Sequence, residues 1–174
     1  MNSPLTIVGA RVLSLAPRED HRGAFTETYR SDWLRDFAIA QVNRAERHAG
    51  TLTGLHWHKH QADLWHVVNG VARVVLHDLR ADSPSSGRTW CYTVRSGADP
   101  CCIYIPPGVA HGFAALGEVT LMYFVDRIHD PADEFGVAWD DPEIGADWGL
   151  IDPVLSERDK KNPTRRELPP VRVP

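Results

Sequence analysis

A chain of 174 residues is long enough for one domain with a full core and short for two, and its 43% hydrophobic and 24% charged content excludes disorder and a membrane-embedded chain. Lys and Arg are outnumbered 19 to 23 by Asp and Glu, for a net charge of −4, so no concentrated basic face is available for nucleic acid. Neither nucleic acid nor a membrane is an expected partner.

The opening MNSPLTIVGARVLSL lacks the basic start and long apolar run of a secretory signal, and a cytoplasmic location is expected. Short runs rich in β-branched and aromatic residues then recur between Gly, Pro, Asp and Ser: TIVGARVLSL, AFTETY, IAQVN, TLTGLHWH, LWHVV, VARVVLHDL, RTWCYTV, CIYI and VTLMYFV. Strands at this spacing predict an all-β sandwich or barrel. The exception is SDWLRDFA, residues 31–38, whose apolar spacing predicts one short helix with Ser31 as N-cap and Asp32 in the first turn. Past about residue 130 the strand signal gives way to DPADEFGVAWDDPEIGADWGL and a polar LSERDKKNPTRREL, a segment expected to wrap the barrel, and the Pro-rich LPPVRVP is expected to lie extended or frayed. Cys91, Cys101 and Cys102 cannot all pair within the chain, which fits a reducing compartment.

The densest chemistry lies in residues 50–70, GTLTGLHWHKHQADLWHVVNG, which gather His56, His58, His60, Asp63 and His66 in a chain of nine histidines. On a strand His56 and His58 share a face, His60 follows if the strand persists, and a turn near Lys59–Ala62 returns Asp63 beside them, with His66 facing the other way. Two imidazoles, a carboxylate and a fourth ligand suit a divalent first-row metal, and His111 in IPPGVAHGF is the candidate fourth. The plainer alternative is a His-x-His strand lining a polar barrel interior. Gly50, His56, His58, Asp63 and Gly70 resemble the first cupin motif, with Asp where Glu is usual. Pro106, Gly108 and His111 resemble the second, with Ala115 where Asn is usual. The expectation is a cupin or jelly-roll β-barrel in which His56, His58, Asp63 and His111 hold one Fe, Mn, Ni or Zn ion.

A wider resemblance runs from His21 to Pro163. HRGAFTETY, AQVN at 40–43, TGLHW, DLRADSPSSGR at 78–88, IPPGVAHGF, LMYF, WDDPEI and LSERDKKNP occur in order, and on these pieces the chain resembles the dTDP-4-dehydrorhamnose 3,5-epimerase family, a branch of the cupin barrels. The resemblance implies one domain over residues 1–174 and a proton shift beside the ketone of a nucleotide-linked 4-keto-6-deoxysugar, with no organic cofactor and a homodimeric assembly. It implies His56 as base, Asp159 as the carboxylate orienting it and Tyr123 as acid, with Arg22, Glu27, Gln41, Asn43 and His111 lining the pocket and His129 replacing a frequent family aromatic.

Two departures bear on that chemistry. Thr53 stands where the family usually has Arg, and Asp63 where it usually has Lys, and a carboxylate repels the enolate that an ammonium would stabilise. A metal on His58 and Asp63 would restore the positive charge, yet a His56 bound to the same ion has no lone pair left for a proton. The alternatives to an epimerase are a metal-dependent cupin oxygenase or lyase, and a catalytically silent small-molecule binder.

Overall fold

The computed structural model describes residues 4–174, and Met1–Ser3, the first residues of the segment read for a secretory signal, lie outside the described residues. Period-2 alternation organises the described residues into twelve strands: β1 (Arg11–Ser14), β2 (Arg18–Asp20), β3 (Gly23–Phe25), β4 (Gln41–Arg47), β5 (Leu52–Trp57), β6 (Asp63–Asn69), β7 (Val71–Asp78), β8 (Thr89–Arg95), β9 (Cys101–Ile105), β10 (Val109–Ala115), β11 (Val119–Val125) and β12 (Phe135–Gly136). They form two five-stranded antiparallel sheets, in the orders β1-β9-β6-β11-β4 and β12-β5-β10-β7-β8, and a separate hairpin β2-β3. This is the expected all-β cupin or jelly-roll architecture.

The core lies between the sheets, where Trp65, Val67 and Leu121 of the first meet Val74, Leu76 and Phe113 of the second. β7 shows why its sequence reads as a nearly continuous apolar run. Ala72, Val74 and Leu76 point into that core, while Val75 points to a second cluster on the outer face with Leu52, Leu55, Ile144 and Trp148. A strand covered on both faces needs apolar residues at both parities.

The cover for the outer face comes from the C-terminal segment, which wraps the second sheet as expected. Val137, Ile144, Trp148 and Val171 are buried there, and isolated parallel bridges tie Val154 to Thr51 and Val171 to Arg80. The end of the chain is extended but not frayed, because Val171 is buried and its carbonyl accepts the Ala81 N–H at 2.8 Å.

The helix expected over residues 31–38 does not form. Successive turns stand in its place, closed by Trp33 N–H to the Arg30 carbonyl at 3.1 Å and Phe37 N–H to the Leu34 carbonyl at 3.1 Å. Leu34 and Phe37 reach a third apolar cluster with Leu15 and Leu64. The i, i+3 spacing that suggested a helix therefore reflects two turns burying the same two side chains, in a segment too short to offset helix nucleation.

Candidate active site

A cavity of about 450 Å³ opens between the sheets, lined by β4, β6 and β11 of the first and β5 and β10 of the second. That volume suits a small organic ligand. Strand register sets its contents. In the first sheet Tyr123 lies between Asn43 and Trp65, and Val125 between Gln41 and Asp63; in the second His111 pairs with His56.

The β5–β10 contact depends on Gly54, at φ +120°, where a Cβ would lie 2.7 Å from the Gly112 Cα and 2.8 Å from the His111 carbonyl oxygen. Any side chain there would push the two histidine-bearing strands apart. The Gly54 N–H also points at Asp159, 3.4 Å from Oδ2.

His56 is fixed from outside the sheet. Its Nε2 lies 2.6 Å from Oδ1 of the buried Asp159, carried by a 3₁₀ turn at Asp159–Lys161. Burial alone would raise the Asp159 pKa, but the hydrogen bond and charge of His56, with the Gly54 N–H, lower it below the ordinary value. The carboxylate only accepts, so in the neutral ring Nε2 carries the proton and Nδ1 keeps a lone pair. Tyr123 lines the cavity from the opposite sheet. Burial raises its pKa, the Arg47 cation opposes this and Asp63 and Glu134 add to it, leaving a phenol that is protonated at neutral pH. Among the described residues its hydroxyl has no hydrogen-bond partner.

His58, Asp63 and His111 form a second group, with one ligand atom from each lying within 4.8 Å of the others. His58 Nδ1–H donates to the Asp133 carbonyl at 2.7 Å and His111 Nδ1–H to the Val109 carbonyl at 2.9 Å, so both keep Nε2 as an acceptor. His111 Nε2 is 3.9 Å from Asp63 Oδ2. Burial pushes the His111 pKa down, with Asp63 opposing and His58 reinforcing the shift. Asp63 accepts from Gln61 Nε2 at 2.8 Å and from Trp65 Nε1 at 3.0 Å. The expected four-ligand set thus contracts to three, because His56 Nε2 is engaged with Asp159 and His56 stands outside this group.

Of the other expected residues, Gln41, Asn43 and His129 line the cavity. Gln41 Nε2 donates to Asn43 Oδ1 at 2.8 Å, its Oε1 accepts the His129 N–H at 3.0 Å, and His129 Nδ1 is 3.7 Å from Glu134. His60 is exposed and turned away, since β5 ends at Trp57. His66 is buried on the other face of β6, against the Cys101 carbonyl, as its parity required.

Arg22 and Glu27 are not brought to the cavity. Arg22 lies in the exposed β2–β3 hairpin, paired with Asp20 at 2.6 Å, and Glu27 follows it, 3.9 Å from Arg30. The sequence reading also missed lining residues: Arg47, Gln61, Trp65 and Glu134, the last paired with Arg158. Arg47 had a signal, since 41, 43, 45 and 47 share one face of β4 and two of them were already assigned to the pocket. Glu134, in an irregular DPADEF, had none.

The arrangement can move protons on two sides of one ligand: an imidazole of fixed tautomer on one sheet, a neutral phenol on the other. Comparison with known proteins points the same way. Residues 4–167 match the family described as dTDP-4-dehydrorhamnose 3,5-epimerase. The chain is 39% identical over 147 residues to the spore coat polysaccharide biosynthesis protein SpsL of Bacillus subtilis, covering 82% of this chain and 96% of SpsL. Among solved structures it is similar to ChmJ, a 3'-monoepimerase from Streptomyces bikiniensis in complex with dTDP-quinovose, with a TM-score of 0.88 at 34% identity, covering 94% of this chain and 87% of ChmJ. NovW from Streptomyces spheroides, a 4-keto-6-deoxy sugar epimerase, gives a TM-score of 0.89 at 31% identity, over 96% of this chain and 88% of NovW. With the match spanning nearly the whole chain, and the histidine, carboxylate and phenol assembled around one cavity, this chain belongs to the dTDP-4-dehydrorhamnose 3,5-epimerase family of sugar-nucleotide epimerases.

Proposed function

We propose that the protein inverts a carbon beside the ketone of a nucleotide-linked 4-keto-6-deoxysugar, as one domain over residues 1–174, with His56 as base, Asp159 as its orienting partner and Tyr123 as acid. The observation that carries this reading is the 2.6 Å His56–Asp159 contact on one sheet, faced by the Tyr123 phenol on the other. His56 Nδ1 takes the proton from the carbon next to the ketone, and the C–H electron pair becomes the enolate double bond as charge moves to the carbonyl oxygen. Tyr123 returns a proton to the same carbon from the opposite face, inverting it. His56 ends protonated and Tyr123 ionised, and solvent resets both. Gln41, Asn43, His111 and His129 are the sugar contacts.

The test is incubation with a dTDP-4-keto-6-deoxysugar in heavy water, which should place deuterium beside the ketone. His56→Ala and Tyr123→Phe should each slow incorporation by about 10²–10⁴, the range of a general acid or base. Wild-type protein that incorporates no deuterium into any such sugar rejects the reading.

A second reading concerns a metal, and a specific observation favours it. Both His58 and His111 have Nδ1–H anchored on a backbone carbonyl and Nε2 open beside Asp63, the arrangement in which a second hydrogen bond orients a metal-binding imidazole. His58, Asp63 and His111 fit an Fe, Mn, Ni or Zn ion, and His56 stays free as base. Such an ion would supply positive charge near the enolate, where the family's usual Lys is replaced by Asp63. Metal analysis decides: stoichiometric metal that falls in Asp63→Ala and His58→Ala supports the site, and full turnover by chelated, metal-free protein removes it.

The reading includes a homodimer in the cytoplasm. Among the described residues the β2–β3 hairpin pairs only with itself, and it exposes Phe25 at 66%, a surface that an isolated hairpin does not sustain well alone. A second copy that receives this hairpin near its cavity would return Arg22 and Glu27 to the pocket role that the family resemblance gives them. Light scattering that finds only monomer at micromolar concentration rejects the dimer. The location rests on three free cysteines, Cys91, Cys101 and Cys102; among the described residues no helix is long and apolar enough to cross a membrane.

A further inference from the structure

Among the described residues lining the cavity, Arg47 is the one Lys or Arg. It projects from the edge strand β4, and its guanidinium is held on two sides: Nε donates to Thr53 Oγ1 at 3.2 Å and Nη1 to the Glu46 carbonyl at 2.9 Å. Nη2 has no partner among the described residues. Thr53 is the position at which the family usually carries its own Arg. Here the cation is carried instead by β4 of the first sheet, and Thr53, on β5 of the second, anchors it across the cavity.

The charges along the cavity are ordered by register. Asp63 shares a row with Val125 and Gln41, Tyr123 with Asn43, and Arg47 pairs with Val119. Arg47 and Asn43 are four residues apart, about 13 Å along the strand at 3.3 Å per residue. A sugar ring between His56 and Tyr123 thus has carboxylates, Asp63 and Glu134, beyond one end and the Arg47 guanidinium beyond the other. A nucleotide-linked sugar has one strongly anionic group, the diphosphate on its anomeric oxygen, and carboxylates repel it. A planar guanidinium with a free edge is the group that receives phosphate oxygens in paired hydrogen bonds.

We infer that Arg47, positioned by Thr53, holds the diphosphate of the substrate and so fixes which way the sugar enters the pocket, replacing the arginine that the family carries at position 53. This rests on the nucleotide-sugar reading above. It makes Arg47 a binding residue: it holds the ligand at a point remote from the carbon that reacts.

The experiment measures binding of dTDP and of inorganic pyrophosphate by calorimetry at several salt concentrations, alongside steady-state kinetics. Arg47→Gln, which removes the charge, and Arg47→Ala should weaken both ligands by about 10- to 100-fold, the range of hydrogen bonds to a charged group, and flatten the salt dependence. KM for the nucleotide sugar should rise while kcat holds within a few-fold. The exchange variant Arg47→Ser with Thr53→Arg should recover most of the lost affinity, an outcome that a purely structural role for Arg47 does not produce. His56→Ala should bind dTDP as wild type does while losing deuterium incorporation, so that failure of the chemistry and failure of the anion site are read separately. Unchanged dTDP affinity in folded Arg47→Gln and Arg47→Ala, or a wild-type protein that binds neither ligand, overturns the inference.

Discussion

Two buried carboxylates, Asp78 and Asp159, show what distinguishes a structural polar site from a reactive one in this fold. Asp78 closes β7 with Arg80 Nε and Nη2 at 2.8 Å each, the Ser83 and Ser85 hydroxyls at 2.7 and 2.6 Å, and the Arg80 N–H at 3.1 Å. Burial would raise its pKa, but these donors outweigh burial and hold it at about 2. Asp159 is buried to a similar degree and has fewer donors, the chief one being His56. The difference lies one bond further out. The donors to Asp78 come from its own strand end and the loop that follows, and their further contacts run to the Val8 backbone, whereas His56 carries the influence of Asp159 through the ring to an open nitrogen in a cavity.

Exchanging the charge at each site should separate the two roles. Asp159→Asn should lower the rate of deuterium incorporation by about 10²–10⁴, since an amide permits the tautomer that places a proton on the wrong imidazole nitrogen, and should shift the melting temperature by only a few degrees. A variant with full activity would show that His56 needs no orienting partner. Asp78→Asn should do the reverse. Removing one partner of a buried charge pair costs about 3–5 kcal/mol, seen as a lower denaturant midpoint, while the fraction that remains folded turns over at a near-normal rate. Lost activity at unchanged stability would place Asp78 in the reactive machinery and erase the contrast.

How much of this was legible beforehand follows from what each signal depends on. The strands and the His56–His58 face follow from alternation, a local property. The approach of Asp159 to His56 across 103 residues had no local signal and was reachable only through the family resemblance of LSERD. The turns at 31–38 were misread because two turns and a helix present Leu34 and Phe37 with the same spacing. Arg22 and Glu27 were placed in the pocket by resemblance, and within one copy of the chain the exposed hairpin carries them elsewhere. Arg47 followed from β4 parity, but a charged residue on an edge strand reads first as solvent-facing.

The contrast extends to acid stability. His77 is buried with Nδ1 on Thr89, and burial, reinforced by Arg165 and opposed by Asp78 and Asp141, lowers its pKa from 6.5 to about 4. Its folded-state pKa lies below the unfolded one, so the unfolded chain binds the extra proton first and stability falls as pH drops from 6.5 to 4, by about 3 kcal/mol. Asp78 adds a second loss, of about 2 kcal/mol, as pH falls from 3.8 towards 2. Urea melts across this range should show both windows, and His77→Leu should shrink the upper one, which the buried His66 and His111, also lowered by burial, share with it, and leave the lower one in place. A stability curve level between pH 6.5 and 4 would mean that His77 is hydrated more freely than its burial implies.

The smallest effect is expected on the rim of the reactive site. Lys160 Nζ lies 2.6 Å from Glu157 Oε1, flanking Asp159 on the surface of the same 3₁₀ turn, with both side chains more than half exposed. An exposed pair at i, i+3 contributes about 0.2–0.5 kcal/mol, because water screens the charges and two long side chains must be ordered to make it. Asp159 itself is held from beneath, by its own N–H on Ser156 Oγ at 3.0 Å and by the Gly54 N–H and His56 at its carboxylate. Glu157→Gln should therefore leave kcat within about twofold and the denaturant midpoint nearly unmoved, while Ser156→Ala, which removes the hydroxyl that accepts the N–H of the buried Asp159, should cost about 0.5–1.5 kcal/mol and some activity. Should Glu157→Gln slow turnover as much as Ser156→Ala, the surface pair would be setting the carboxylate position, and the separation between buried reactive contacts and solvated ones would fail at the residue where it matters most.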